Sequence, residues 1–249
     1  MAKAMLIDTS KCLFCNACTV ECKRENNVVV GKGIFWTQML TYEVGDFPNV
    51  RQYFIKRACN HCTQAACVTA CPTGALYHHP EGFVVLDQSK CNGCGYCTQA
   101  CPFHIPQLDV VNPLTGEAKS NKCTFCVQRT ANGGETACSM ACPFGAILYG
   151  DRDQLIAQGK ERVAALKAQG KDKARLYGEH ELGGLHVLYV LEEEPEVYGL
   201  PSDPKVPVMV TLWQKLLQPL GQVAFGATLV GLLAAWITVR RNVEMEKVE

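Results

Sequence analysis

The sequence has no excess of charge of either sign, since its 249 residues include 24 Lys and Arg and 24 Asp and Glu. Proteins that bind nucleic acid carry a basic patch or a high isoelectric point, so this balance argues against a nucleic-acid partner. The hydrophobic content of 48% is ordinary for a folded protein and argues against disorder. The length suits one or two domains.

The sequence also lacks the motifs of several enzyme classes. Gly31-Lys32-Gly33 is not followed by the rest of a glycine-rich phosphate loop, and no set of residues resembles a complete catalytic constellation. No secretory or twin-arginine signal precedes Cys12. We therefore expect a chain that is not a catalyst on its own and that, if exported, crosses the membrane with a partner that carries a signal.

Cysteine is the residue in excess, with 16 copies in four tight groups before residue 150. A disulfide scaffold of this density is typical of short secreted chains, whereas this chain is longer and its cysteines are clustered. The third group, Cys91-x2-Cys94-x2-Cys97-x3-Cys101-Pro, matches the bacterial ferredoxin pattern, and the other groups differ in the middle gap or lack the proline. The pattern predicts [4Fe–4S] clusters.

The spacing predicts how these cysteines are shared. Three cysteines of one loop bind three corners of a cubane, and the fourth ligates the neighbouring cluster. We expect the fourth cysteine to begin a helix, with the following proline in its first turn. Because only 20 positions separate Cys71 from Cys91, groups two and three are predicted to form one ferredoxin-like module, inserted between groups one and four, which form the other.

Sixteen thiolates at four per cluster imply four [4Fe–4S] clusters. The predicted ligand sets are Cys12, Cys15, Cys18 and Cys142; Cys22, Cys123, Cys126 and Cys138; Cys59, Cys62, Cys67 and Cys101; and Cys71, Cys91, Cys94 and Cys97. Since Cys-x2-Cys pairs also form structural zinc sites, a zinc-binding scaffold is the distant alternative. Four quartets, three of which end in Cys-Pro, favour iron–sulfur clusters.

Other residues beside the cysteines are candidates for tuning the clusters. Lys11, Lys90 and Lys122 each precede the first cysteine of a group. A positive charge there would favour the reduced cluster and raise its potential, and a solvated loop lysine is an equal alternative. His61 lies inside group two, where a packed structural histidine is favoured over a hydrogen-bond donor to the cluster.

The chain is predicted to have an α+β fold in three zones. Residues 1–150 form the double ferredoxin-like domain with a strand near residues 83–86. Residues 151–207 form a connector with an amphipathic helix over 151–169 and a buried strand over 185–191, which returns to the first domain. Residues 208–249 form a transmembrane anchor and a short tail.

The anchor is predicted from 24 uncharged residues between Leu216 and Val239, a length that spans a bilayer. A buried helix of a soluble core is the alternative, but such a helix would usually show a polar stripe. No histidine follows His186, so this helix cannot supply a haem histidine. Arg240 and Arg241 follow the apolar run, which favours a cytoplasmic C-terminus and a periplasmic cluster domain at the inner membrane.

The order of the four groups, with Cys123-Thr-Phe-Cys126 and Ala137-Cys138-Ser-Met-Ala-Cys142-Pro143 in the last, resembles the four-cluster iron–sulfur subunits of the molybdopterin oxidoreductase superfamily over residues 5–150. Residues 184–191 and 198–201, followed by one membrane helix, make the chain similar to the beta subunit of membrane-bound formate dehydrogenase. Nitrate reductase beta subunits fit less well, because they replace one cysteine of the third group.

The resemblance implies two partner subunits. A catalytic subunit with a molybdenum or tungsten pterin site would oxidise formate, and a membrane cytochrome b subunit would pass electrons to quinone. This chain would relay single electrons between them. A membrane hydrogenase or a sulfur-compound reductase is the alternative client. The N-terminal extension of some relatives does not precede the first group here, which puts the contacts of that extension in doubt.

Overall fold

The computed structural model describes residues 1–212 and 217–246. Contacts divide the chain into two units, with the boundary between Val206 and Pro207. The strands are β1 (Lys3–Asp8), β2 (Thr37–Val44), β3 (Arg51–Ala58), β4 (Leu76–His78), β5 (Val84–Leu86), β6 (Gln107–Asn112), β7 (Glu117–Asn121), β8 (Ile147–Asp151), β9 (Arg175–Tyr177) and β10 (Val187–Leu191). The helices of the first unit are α1 (Ala17–Glu25), α2 (Ala66–Thr69), α3 (Tyr96–Ala100), α4 (Val127–Thr130), α5 (Ala137–Met140) and α6 (Arg152–Ala168).

A four-stranded mixed sheet joins the two ends of the first unit. Its strand order is β8-β1-β10-β9, with β1 parallel to β10 and the outer strands antiparallel. Met5 lies opposite Val187, and Asp8 lies opposite Val190. The helix predicted over 151–169 and the strands predicted over 83–86 and 185–191 are confirmed as α6, β5 and β10.

The two faces of the sheet bury different partners, because successive side chains of a strand point to opposite faces. On one face, Leu6 and Leu188 pack with Leu155 and Leu166 of α6. On the other face, Met5, Ile7, Val187 and Tyr189 join a core that includes Cys18 and Cys138. The second face of the sheet therefore packs against the cysteine loops and supports them.

Each stretch between successive cysteine groups forms an antiparallel hairpin: β2–β3, then β4–β5, then β6–β7. Residues 151–207, predicted as a connector, contribute α6 and β10, which pack with β1, and β9, which pairs with β10. The described α+β architecture carries the four loops on one scaffold.

The second unit contains helices α7 (Val208–Leu212) and α8 (Gln218–Glu246). Within α8, the 23 residues Gln218–Arg240 are long and apolar enough to cross a membrane, and none of the residues in the apolar window is buried. Leu216, the first residue of the predicted span, lies outside the described residues.

Candidate metal centres

The cysteine loops share a backbone with positive φ at short intervals. In group one Phe14 and Asn16 have φ of 57° and 59°, and at the matching positions of group three Gly93 and Gly95 have 73° and 77°. Residues other than glycine rarely adopt this conformation, and such strain concentrates at functional sites. Left-handed residues direct successive N–H groups into a concavity that suits an anion.

Backbone amides donate hydrogen bonds to cysteine sulfurs at the loops. Phe125 N lies 3.4 Å from Cys123 Sγ, and Ala146 N lies 3.3 Å from Cys142 Sγ. Hydrogen bonds to sulfur favour the charged thiolate over the neutral thiol. These amide donors would therefore stabilise the thiolate form once a metal compensates its charge, whereas burial raises the pKa of the Cys123 thiol.

The helices begin just before the third cysteine of a group, so the prediction that the fourth cysteine begins a helix is wrong. Helix α1 contains both Cys18 and Cys22, whereas Cys71, Cys101 and Cys142 follow the ends of α2, α3 and α5. The proline after each of these three cysteines cannot continue a helix and disfavours helical backbone at the preceding residue. The helix consequently ends before it.

These short helices pack in pairs. Helix α1 of group one contacts α5 of group four, and α2 of group two contacts α3 of group three. This is the pairing predicted for two interleaved modules. A Cys-x3-Cys spacing places two sulfurs about one helical turn apart, so α1, or a short helix with the residues just after it, can present cysteines to two different sites.

Three of the predicted ligand sets each line one cavity. Site A, with Cys12, Cys15, Cys18 and Cys142, lines a cavity of about 390 Å³. Site B, with Cys22, Cys123, Cys126 and Cys138, lines one of about 280 Å³. Site D, with Cys71, Cys91, Cys94 and Cys97, lines one of about 310 Å³. Each cavity therefore brings together cysteines from two groups of the sequence.

The remaining set, site C (Cys59, Cys62, Cys67 and Cys101), is deeply placed. Burial, and then the neighbouring sulfurs of the other three members, raise the pKa of Cys62. Burial raises the pKa of Cys67 to about 12, and in site B it raises that of Cys22 to about 11. Such thiols ionise only when a cation such as iron compensates the charge.

The sulfurs surround volumes instead of single points. Within residues 1–212 and 217–246, no three Cys, His, Asp or Glu side chains are placed to hold one metal ion. A cubane presents four separated iron corners, each with one thiolate, and this donor arrangement fits such a group.

The lysines before the groups differ in environment. Lys122 is buried, and its Nζ donates to Val84 O at 2.7 Å and to Cys123 O at 2.8 Å. Lys11 and Lys90 are exposed and pair with Asp8 and Asp87 at 4.0 Å and 3.4 Å. The solvated-lysine interpretation therefore fits Lys11 and Lys90 and fails for Lys122.

Lys56 is a further candidate for tuning the clusters, and the sequence did not indicate it. It lies on β3, is 2% exposed, and lines the site A cavity. Its Nζ is buried and has no hydrogen-bond partner in the part of the chain that the structure describes. No motif surrounds it, and its burial follows from how β3 packs in the folded chain, so the sequence held no signal for it.

His61 is fully buried and packs between aromatic rings. Its ring is edge-on to Phe125 with a centroid distance of 4.8 Å, and Nδ1 lies 2.9 Å from Val84 O. Burial and nearby Lys122 lower its pKa, so the ring is neutral. The packed structural interpretation agrees with this environment.

Two family models match the chain. A 4Fe-4S dicluster domain matches residues 50–152, and the transmembrane segment of formate dehydrogenase N matches residues 206–249. The first match spans three of the four cysteine groups, and the second contains α7 and α8.

Curated relatives match almost the whole chain. The formate dehydrogenase iron-sulfur subunit of Haemophilus influenzae is 39% identical over 97% of this chain and 82% of its own length. The nitrate-inducible formate dehydrogenase iron-sulfur subunit of Escherichia coli is 38% identical over 98% of this chain and 87% of its own length. A tetrathionate reductase subunit from Salmonella typhimurium is 36% identical over 75% of this chain and 71% of its own length.

Proposed function

Since this chain belongs to the family of formate dehydrogenase iron–sulfur subunits and carries [4Fe–4S] clusters, we propose that it relays single electrons through four of them. The electrons come from a catalytic subunit with a molybdenum or tungsten pterin site that oxidises formate. They leave toward a membrane cytochrome b subunit that reduces quinone. The chain has no catalytic role of its own.

The observation that carries the proposal is the way cysteines from different groups line common cavities. Sites A to D are proposed as the four cluster sites, with their sixteen cysteines as iron ligands. A bound [4Fe–4S] cluster accepts and donates one electron. The chain contributes thiolates, amide donors such as Phe125 N, and an apolar lining that includes Met5 and Ile7.

Neighbouring cysteines support a linear order A–B–C–D. Cys18 of site A is near Cys138 of site B. Tyr189 is near Cys123 of site B and Cys59 of site C. Cys67 of site C is near Cys97 of site D. An electron that crosses the domain in this order moves between adjacent sites at every step.

The ends of this order are the accessible sites. Cys15 of site A and Cys94 of site D are exposed, whereas every cysteine of sites B and C is buried or half-buried. Electron donors and acceptors need close approach to a cluster. We therefore place the contacts with the two partner subunits at sites A and D.

The chain is anchored in the membrane through its C-terminal segment. We propose that α8 crosses the inner membrane once, with the C-terminus in the cytoplasm and the cluster sites on the periplasmic side. The arginines Arg240 and Arg241 after the apolar span support this orientation.

The donor is tested on the intact complex under anaerobic conditions. Formate should bleach the visible absorption of the clusters and generate their reduced EPR signals, whereas hydrogen should leave both unchanged. Reduction by hydrogen with formate inert would overturn the assignment in favour of a hydrogenase.

A sulfur-compound reductase is the second candidate, because the tetrathionate reductase relative matches 75% of the chain. The match of residues 206–249 to the formate dehydrogenase segment favours formate. Rapid reoxidation of the reduced complex by tetrathionate, without any reduction by formate, would support the second candidate instead.

A further inference from the structure

Lys56 is a buried cation located between two of the proposed cluster sites. Cys18 of site A and Cys22, Cys123 and Cys138 of site B all lie close enough to its ammonium to interact electrostatically. Lys56 also lines the site A cavity. Its side chain is therefore near cysteine sulfurs of both site A and site B, the two sites joined by the first step of the A–B–C–D order.

The two buried lysines differ in the hydrogen bonds of their ammonium groups. Lys122 Nζ donates to two backbone carbonyls, whereas Lys56 Nζ has no hydrogen-bond partner among the residues that the structure describes. A buried ammonium without partners is costly unless negative charge lies beside it. The cysteine thiolates that would hold clusters at sites A and B would supply that negative charge beside Lys56.

We propose that Lys56 is a fixed buried cation shared by sites A and B that raises the reduction potentials of the clusters there. This inference rests on the proposed function, since it requires clusters at both sites. One-electron reduction adds one negative charge to a cluster, so a nearby positive charge stabilises the reduced form. Lys56 is a positioning and tuning residue and not an electron carrier.

The test is a redox titration of the intact complex, followed by EPR, with Lys56→Met and Lys56→Arg. Loss of the charge in Lys56→Met should lower the equilibrium constant for reduction of two of the clusters by about tenfold, which is about 59 mV for one electron. The other clusters should keep their potentials. Lys56→Arg, which retains the charge, should stay within about threefold of the parent.

Lys11→Met is the matched control, because it removes the same charge beside Cys12 of site A at a side chain that is 46% exposed. Water screens that charge, so the control should stay within about threefold of the parent. Unchanged potentials in Lys56→Met, equal shifts at all clusters, or equal shifts in Lys56→Met and Lys56→Arg would overturn the proposal.

Iron and acid-labile sulfide measured on every variant separate failure of this inference from failure of the proposed function. A parent without [4Fe–4S] signals contradicts the relay itself, whereas full signals without a shift contradict only the role of Lys56. If Lys56→Met loses clusters that Lys56→Arg keeps, the charge is required for the sites. Loss of clusters in both variants would show that packing at position 56, and not its charge, determines whether the clusters are retained. That result would contradict the proposal.

Discussion

At the scale of single residues, the proposed ligand assignment depends on cysteines about one helical turn apart that belong to different sites. Cys18 lines the cavity of site A, while Cys22, four residues later on α1, lines that of site B. Cys138 and Cys142, on α5 and just after it, cross in the opposite direction. Two such crossings join the first and last cysteine groups.

Replacing Cys22 with serine should remove the same cluster as replacing Cys126, and a different one from that removed by Cys15→Ser. Each variant should lose about four irons, because one weak ligand destabilises one cubane. EPR of the reduced chain identifies the missing signal. Val20→Ala, at an exposed position of the same helix, should retain all signals. If Cys22→Ser and Cys15→Ser abolish the same signal, the prediction that the fourth cysteine of a group ligates the neighbouring cluster is wrong.

At the scale of elements, local patterns predicted more than long-range ones. The spacing of the cysteines predicted which groups pair, and the periodicity of Leu155 and Leu166 predicted α6. The parallel pairing of β1 with β10 joins residues about 180 positions apart, and no local pattern encodes it. For the same reason, a lysine on β3 gave no sign that it would be buried beside sulfur.

The start of the cysteine helices was mispredicted because two rules compete at the fourth cysteine. Proline suits the first turn of a helix, and it also ends a helix that approaches it from the N-terminal side. The helices of groups two, three and four already begin at Ala66, Tyr96 and Ala137, each one residue before the third cysteine, so the second rule applies. The consequence is that Cys71, Cys101 and Cys142 lie beyond their helices.

Strand β7 covers site D. Ser120 N donates to Cys91 Sγ at 3.4 Å, and Ser120 Oγ lies 3.3 Å from Cys97 Sγ. Gly93 has φ of 73°, and a Cβ there would clash with the carbonyl oxygen of Ala118. The loop of group three can approach β7 only with glycine at this position.

Gly93→Ala should therefore separate this loop from β7 and lower the iron content by about four, with a loss of stability of about 1–3 kcal/mol from overpacking. Gly116→Ala is the control, since Gly116 has a similar φ of 70° but nothing within 4 Å of its Cβ position. Iron analysis and the midpoint of thermal bleaching measure both effects. Equal behaviour of the two variants would argue against the close approach.

At the scale of the whole molecule, the cysteines and the apolar helix lie in different units of the chain. Residues 1–206 contain all sixteen cysteines, and the second unit contains the apolar helix. The exposed cysteines belong to sites A and D, the two ends of the proposed order, whereas every cysteine of sites B and C is buried or half-buried. Anchoring and electron transfer are thus properties of separate parts of the chain.

Leu229 lies near the middle of the apolar span, so Leu229→Arg should weaken membrane insertion by about 2.5–3.5 kcal/mol. Expressed without partners, this variant should move from the membrane fraction to the carbonate-extracted fraction and keep its iron. Leu229→Phe should remain in the membrane. Firm membrane retention of Leu229→Arg would contradict the spanning role of α8.

Metal analysis of the full-length chain, purified anaerobically in detergent, tests whether the sixteen cysteines hold four cubanes. We expect about 16 irons and an equal amount of acid-labile sulfide per chain, with EPR spins from four reduced clusters. A colourless chain that contains several zinc ions and no sulfide, or a chain with iron for only two cubanes, would contradict it.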